Sequence, residues 1–382
     1  MRDTIGTAAA LTLFGESHGP AVGCVLQGVA PGVRVDEDFI AAQMEKRRAK
    51  GRISTARTEA DRVRILSGVK DGLATGTAIT LVIENTNTRS GDYAKTQDLL
   101  RPGHADYTAY AKYHGFQDAR GGGHFSGRLT APLVAGGAIF VQLLRRKGVR
   151  IGTHLLQCAG VDDAPLCPCG ALWDDAAAAA LAVRLDALAA APFPSADEKA
   201  GQRMVQAIEA AAAAGDSVGG VLETVVTGLP AGLGEPFFGS VESVLAALLF
   251  SMPAVKGVEF GGGFALAALR GSEANDPLYM APGGRVAART NRNGGVNGGI
   301  TNGMPVVFRT VVKPTPSIYK PQHTVDFSTK QDAVLQIEGR HDPCIAHRAC
   351  VVQDSLAALG IADLLGVAFG LTWQEGTAWN TV

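Results

Sequence analysis

Residues 293–312, NGGVNGGITNGMPVVFRTVV, run from closely spaced glycines into a β-branched stretch, Val306 to Val312. Residues 68–83, GVKDGLATGTAITLVI, repeat that texture, ending on the apolar run Ala78 to Ile83. Short β-branched runs bounded by Gly read as strands. The likeness hints at a duplicated half without defining repeats. Outward from these, Ala8 to Phe14 and Val221 to Thr227 read as further strands. Asp36-Glu37-Asp38 places acids at a helix start and Lys46-Arg47-Arg48 places bases at its end, as the helix dipole prefers. Asp174-Asp175 opens an Ala-rich helix to Ala191, which Pro192 and Pro194 stop. Ser195-Ala196-Asp197-Glu198 reads as a capping box for a second helix reaching Ala214 before Gly215. Val241 to Phe250 and Ser355 to Leu365 carry helical spacing. No Pro-, Gly- or Ser-rich linker divides the chain, so one large α+β domain over residues 1–382 is expected, with helices covering a sheet.

Composition narrows the partners. Lys and Arg number 35 against 36 Asp and Glu, a net charge of −1, so no global field draws nucleic acid or an anionic membrane and an anion site must be local. Hydrophobic residues make up 46 % and charged residues 19 %, which excludes wholesale disorder. Gly is the departure: 48 residues, nearly twice the usual share of about 7 %, fall in short clusters where backbone turns sharply or meets a ligand. The start, Met1-Arg2-Asp3-Thr4, has no apolar core of signal-peptide length, and Leu129 to Leu144 is too short and Gly-rich to span a bilayer. A cytoplasmic protein without membrane or nucleic-acid partners is expected. The cysteines 24, 158, 167, 169, 344 and 350 are scattered, which favours reduced thiols. Cys167-Pro168-Cys169 lacks the paired knuckles of a zinc site and reads as a surface turn, so no metal is expected.

There is no GxGxxG, GxxxxGK[ST] or HExxH. GESHG, Gly15 to Gly19, fits the GxSxG pattern of a serine-hydrolase elbow, but such an elbow needs a buried parallel strand before it. The other reading makes Ser17 and His18 adjacent polar groups on a Gly-relaxed turn, able to hydrogen-bond and protonate an anion. Arg101, His104, Asp106, Arg120 and Arg128 crowd around Gly121-Gly122-Gly123, a composition suited to holding an anion. Arg47, Arg48, Arg52 and Arg57 form a second basic cluster, either a solvated helix end or a phosphate and carboxylate clamp. It has no equal cluster of acids beside it in sequence.

GESHG, RPGHAD with Lys112-Tyr113 after it, RGGG, GLGEP, PAVKG, GGITNG, KPTPS and RHDPC occur in this order over essentially the whole chain. In that the sequence resembles the chorismate synthase family, a likeness that removes the hydrolase reading. The resemblance implies an α+β sandwich with antiparallel β-sheets in the core and helices outside, and a homotetramer. The reaction it implies is the 1,4-anti elimination of phosphate from 5-enolpyruvylshikimate 3-phosphate to chorismate. Reduced FMN is implied as cofactor, reduced either by NADPH on the protein or elsewhere. Carried over, His18 is the acid near the departing phosphate, His104 serves the reduced flavin, and Asp342 assists proton removal. Ser17, Arg47, Arg48, Arg52, Arg128 and Arg340 match the substrate side, with Arg47 and Arg52 also toward NADP. His124, Phe125, Ser126, Pro253, Ala254, Gly298, Lys313, Pro314, Thr315, Pro316, Ser317 and Arg340 match the flavin side. Many members read RSSARET where this chain has His124-Phe125-Ser126-Gly127-Arg128-Leu129-Thr130, and His114 resembles a one-residue insertion.

Overall fold

The computed structural model describes residues 3–49, 51–55, 60–86, 98–281, 284–337, 341–377 and 379. Ten strands build two antiparallel sheets. The first contains β1 (Thr4–Ile5), β2 (Ala10–Gly15), β3 (Ala21–Gln27), β4 (Val63–Ser67) and β5 (Ile79–Glu84), in the order β1-β2-β3-β5-β4. Alternation along β5 buries Ile79, Leu81 and Ile83 and leaves Thr80 and Val82 half-buried, the signature of a sheet covered on one face. The second contains β6 (Arg150–Cys158), β7 (Val161–Asp162), β8 (Gly220–Thr227), β9 (Val255–Phe260) and β10 (Val306–Val312), in the order β9-β10-β8-β6-β7. Here β8, paired with β10 through Gly220↔Val312 and with β6 through Gly220↔Cys158, is buried along nearly its whole length, so both its faces are covered. The two glycine-led strands, β5 and β10, each lie second from an edge of their sheet.

The helices are α1 (Glu37–Arg47), α2 (Asp106–Tyr113), α3 (Thr130–Arg146), α4 (Asp175–Ala190), α5 (Glu198–Ala213), α6 (Val241–Ser251), the single turn α7 (Gly271–Ala274) and α8 (Ala346–Phe369). The expected α+β class and antiparallel sheets are observed, but the layer order differs. α3 packs on β3 and β5, α8 packs on β6 and β8, and the two helices pack on each other, so they lie between the sheets. The reason is composition: 14 of 17 residues of α3 and 18 of 24 of α8 are buried, and a helix apolar on every side must be covered on every side. By length and composition both are apolar enough to cross a membrane, yet their apolar surface is spent inside the protein. α4 takes the outer position expected of a covering helix, with Leu185 against Gly152 of β6.

Small residues set how close these layers come. A Cβ on Gly136 would lie 3.0 Å from Leu11 of β2 and 3.1 Å from Cys24 of β3. A Cβ on Gly137 would fall 2.4 Å from Cβ of Ser355 on α8. At the far end, Asp363 of α8 accepts the backbone amides of Thr7, Ala8 and Ala9 at 2.8, 2.6 and 2.9 Å, fastening the turn between β1 and β2.

Two local expectations change. α5 is capped by Asp197, which accepts from the Ala200 amide at 2.7 Å, not by Ser195, because the helix begins at Glu198. Cys167 and Cys169 are not on a surface turn: they pack under Leu181 and Leu185 of α4, and burial pushes the Cys167 thiol up to about 12. Among the described residues no three His, Cys, Asp or Glu side chains converge as metal ligands.

The closest approach of the central helices gives a direct test. Gly137→Ala should lower the unfolding free energy by about 1–3 kcal/mol, read from the urea midpoint, because neither helix can move without displacing its sheet. Ser355→Gly in the same chain should restore only part, since Cα and O of Ser355 also lie 2.8 Å from the added carbon.

Candidate active site

Residues 15–19, GESHG, form the turn between antiparallel β2 and β3, a hairpin and not a strand-to-helix elbow. Ser17 is fully buried. Its hydroxyl faces the carbonyls of Arg120 and Gly121 at 3.1 Å each and Nδ1 of His18 at 3.1 Å. With its one hydrogen given to a carbonyl, Oγ accepts from Nδ1–H, so Nε2 is the nitrogen that gains or gives a proton.

The opposite wall is the glycine loop. Gly121, Gly122 and Gly123 have φ of 59, 85 and 52°, three left-handed residues in succession that side chains would oppose. A Cβ on Gly121 would lie 2.0 Å from Cε1 of His18, and one on Gly122 would lie 3.2 Å from Cε1 and Nε2 of His104. The two histidines, far apart in sequence, therefore rest on adjacent glycines. Nδ1 of His104 lies 2.7 Å from Oδ1 of Asp106 and 3.0 Å from Nη2 of Arg101. Burial opposes a charge on Asp106, but hydrogen bonds from Arg101 and His104 and their positive charge outweigh it, holding the carboxyl far below its usual range. His114, the apparent insertion, is the left-handed C-cap of α2 at φ 56°.

Beside the loop lies a cavity of about 380 Å³, whose walls include Arg47, Arg48, Ser126, Arg128, Pro253 and Asp342. Asp61, itself left-handed at φ 45°, is buried between two guanidinium groups. Arg47 donates to Oδ2 at 3.0 Å, to Thr130 Oγ1 at 2.9 Å and to Gly127 O at 3.1 Å, while Arg128 donates to Oδ1. Arg128 Nε also reaches Asn85 Oδ1 at 2.9 Å, and Asn85 Nδ2 holds the carbonyls of Glu16 and Gly19 at 3.0 and 2.9 Å. One amide thus ties the histidine turn to the cavity. On the far wall Arg348 Nη1 reaches both oxygens of Asp342 at 3.0 Å, and Arg348 Nε donates to the Arg47 carbonyl at 2.7 Å. The cavity wall carries Arg47, Arg48, Arg128 and Arg348 against Glu45, Asp61 and Asp342 among the described residues. Expected as a cluster without matching acids, the arginines are nearly balanced by acids from elsewhere in the chain. The remaining positive field comes from a helix end: α8 starts at this cavity without a side-chain cap, whereas α3 continues a 3-10 turn, Gly127–Leu129, that Ser126 caps by accepting from the Arg128 amide.

The KPTPS segment leaves β10 and straps the RPGHAD turn: Lys313 Nζ donates to Gly103 O, and Pro316 packs against Gly103. Lys313 N donates to the carbonyl of Ala254 at 3.0 Å, bringing Pro253 and Ala254 alongside; Ala254 holds φ 73°. Oγ1 of Thr315 is buried with no hydrogen-bond partner among the described residues, and Ser317 is buried nearby in sequence. Other candidates are not gathered. His124 turns its Nδ1 to Gly15 O at 2.9 Å, and Phe125 packs edge-on to Tyr113. Gly298 tips a separate hairpin, Val296–Asn297 with Ile300–Thr301, which packs on Glu235 and Ser240. Arg52 is exposed. Arg57 and Arg340 lie outside the described residues. Asp61, Asn85 and Arg348 escaped the sequence reading; the only signal was Asp61 itself, an acid close after a basic run.

The chain matches the family model described as chorismate synthase over residues 9–365. It is 46 % identical over 364 residues to a chorismate synthase of Aeropyrum pernix, covering 95 % of this chain and 93 % of that protein. To a chorismate synthase of Thermococcus gammatolerans it is 45 % identical over 361 residues, covering 94 % and 96 %. To one of Chitinophaga pinensis it is 43 % identical over 363 residues, covering 95 % and 96 %. A crystal structure of chorismate synthase superposes with a TM-score of 0.74 at 24 % identity, over 98 % of this chain and 95 % of that one, a likeness of fold.

Two substitutions separate buried from solvated arginine. Arg47→Ala should cost roughly 3–5 kcal/mol in urea unfolding, because it breaks a buried pair, whereas Arg52→Ala should stay within about 0.5 kcal/mol. For Asp106→Asn the deficit depends on pH. A carboxyl depressed in the folded state stabilises above its unfolded pKa of about 3.9 and loses this as pH falls through the folded value, so the deficit should be full at pH ~7 and shrink in strong acid.

Proposed function

The chain belongs to the chorismate synthase family, whose members are carbon–oxygen lyases acting on phosphates, and from that premise we propose how its residues carry the reaction. The elimination takes phosphate and a proton from 5-enolpyruvylshikimate 3-phosphate and leaves chorismate, on the route to the aromatic amino acids. In our reading the cavity beside Asp61 receives this anion. Arg48 and the uncapped first turn of α8 orient its phosphate and carboxylates, while Arg128, like Arg47, is held on Asp61 in the cavity wall. His18 gives the proton on Nε2 to the departing phosphate, with Ser17 holding Nδ1. Asp342, oriented by Arg348 and the Thr55 amide, is the carboxylate on the wall suited to assist removal of the substrate proton. The observation that carries this reading is the seating of His18 and His104 on neighbouring glycines of one loop.

Reduced FMN fits the strap. The orphaned Thr315 Oγ1 is a donor awaiting an acceptor, and Lys313 and Ser317 supply the cation and hydroxyl that a ribityl phosphate takes. Lys313 to Ser317, Pro253, Ala254 and Ser126 would hold it, with His104 Nε2 toward it, whereas His124 and Phe125 are engaged elsewhere. When bound, reduced FMN supplies electron density to the allylic centre from which phosphate leaves, with no net change in oxidation state. His104, kept upright by Asp106 and Arg101, holds the proton on that side of the site. NADPH as reductant would rest on Arg52, since the Arg47 guanidinium is committed to Asp61.

One hydrophobic core that runs through both sheets supports a single domain. A homotetramer is supported by exposed aromatics, Phe237, Phe238 and Phe264 at 84, 97 and 84 % exposure. A cytoplasmic location is supported by six unpaired cysteines.

An anaerobic assay with reduced FMN and 5-enolpyruvylshikimate 3-phosphate should yield chorismate; none at any enzyme concentration would refute the reading. His18→Ala and His104→Ala should each slow single turnover by about 100- to 10,000-fold. Only His104→Ala should also change the spectrum of bound reduced FMN. Chorismate formed aerobically from NADPH and oxidised FMN, without added reductase, would identify a self-reducing enzyme.

A further inference from the structure

Cys158 closes β6 and Cys344 stands two residues after Asp342, just before α8; both are fully buried and their sulfurs lie 3.8 Å apart. The approach is imposed by backbone. Cys158 is the register partner of Gly220, and the amide of Val218 donates to the carbonyl of Pro343 at 2.8 Å, so both cysteines are pinned to residues 218–220. The pair is chemically unequal. The hydrogen bond shared with Cys158 favours a charge on Cys344 more than burial opposes it, which draws the Cys344 thiol below its usual range. Sharing its proton with Cys344 and burial push Cys158 up. Two thiols held this close, with Cys344 the more acidic, suit an attacking and a resolving cysteine. A cavity of about 200 Å³ between α1, α4 and α8 is lined by His347 and Cys350, three and six residues beyond Cys344, and admits a small oxidant to this part of the core.

We propose that Cys158 and Cys344 are a peroxide-sensitive thiol pair whose closure to a disulfide displaces Asp342 and reversibly switches the enzyme off. Cys344 gives up its proton and its sulfur attacks one oxygen of hydrogen peroxide; the O–O bond breaks, and the departing hydroxide takes up that proton as water, leaving a sulfenic acid. Cys158 then attacks that sulfur, the S–O bond breaks, and water departs with the thiol proton. Two thiols lose two electrons, and peroxide becomes two waters. A disulfide sets its sulfurs about 2.05 Å apart, so the sulfurs must close nearly half of the 3.8 Å between them. Asp342, joined to Cys344 through Pro343, is held by the Thr55 amide at 2.8 Å and by Arg348, contacts that tolerate little movement. The loss of activity rests on the role read for Asp342; the chemistry of the pair does not.

The full-length protein, treated with hydrogen peroxide, is denatured in iodoacetamide and mapped by mass spectrometry without reductant. The expected result is one peptide pair joining Cys158 to Cys344, two hydrogens lighter than the free thiols. Chorismate formation should fall by about 10- to 100-fold, as for a catalytic group misplaced by about 1 Å, and dithiothreitol should restore it. Cys158→Ser should leave untreated activity unchanged, form no crosslink and gain one oxygen at Cys344. Alkylation of both cysteines in the peroxide-treated wild type would overturn the pair itself, with no variant required. A full yield of disulfide without loss of activity would overturn the switch and leave the proposed reaction standing.

Discussion

Everything in this molecule hangs on two helices that are apolar on every side and touch through glycine. α3 and α8 meet where Gly137 faces Ser355, and each carries a sheet on its other flank. Their starts coincide with the site: Ser126 to Leu129 run straight into α3, and Asp342 to Ile345 run straight into α8. Packing in the core therefore sets the separation of the cavity walls. An anion placed there meets the start of α8, whose backbone dipoles no side chain has already satisfied.

Asp61 changes the meaning of the arginines around it. A wall of unpaired guanidinium groups would repel itself before any ligand arrived. With Asp61 between Arg47 and Arg128, and Asp342 on Arg348, the cations are held in fixed orientation in the absence of ligand. Such pairs contribute little net stability, since desolvation offsets attraction. Their value is orientation, because a guanidinium already immobilised loses less freedom when an anion arrives. Asn85 extends this order to His18 by holding the turn that carries it.

Local pattern revealed the parts and not their partners. Strand and helix periods located β5, β8, β10, α1 and α4 to within a residue or two, because alternation and capping are properties of a few consecutive residues. The layer order was hidden: a helix apolar all round reads alike whether it lies between two sheets or beneath one. His18 and His104 were legible from the glycines near them, since a residue without Cβ at positive φ implies a close neighbour. That these two neighbours share one loop was not, and neither was Asn85, whose bonds reach back 66 and 69 residues and forward 43. Arg47 and Arg52 look equivalent in a basic run. Only the turn at the end of α1 sends one inward to Asp61 and the other to solvent.

The clamp made by Asp363 gives the chain an order in time. Its carboxylate holds the amides of Thr7, Ala8 and Ala9 across 354 to 356 residues of sequence. On a ribosome the hairpin of β1 and β2 emerges long before α8, and its turn stays unfastened until α8 is made. The first sheet likewise waits for α8 to complete the layer under α3. A nascent chain halted before α8 would expose the flank of α3 that α8 covers, an apolar surface that invites chaperones or aggregation. A hairpin made early is thus completed only by a helix made late.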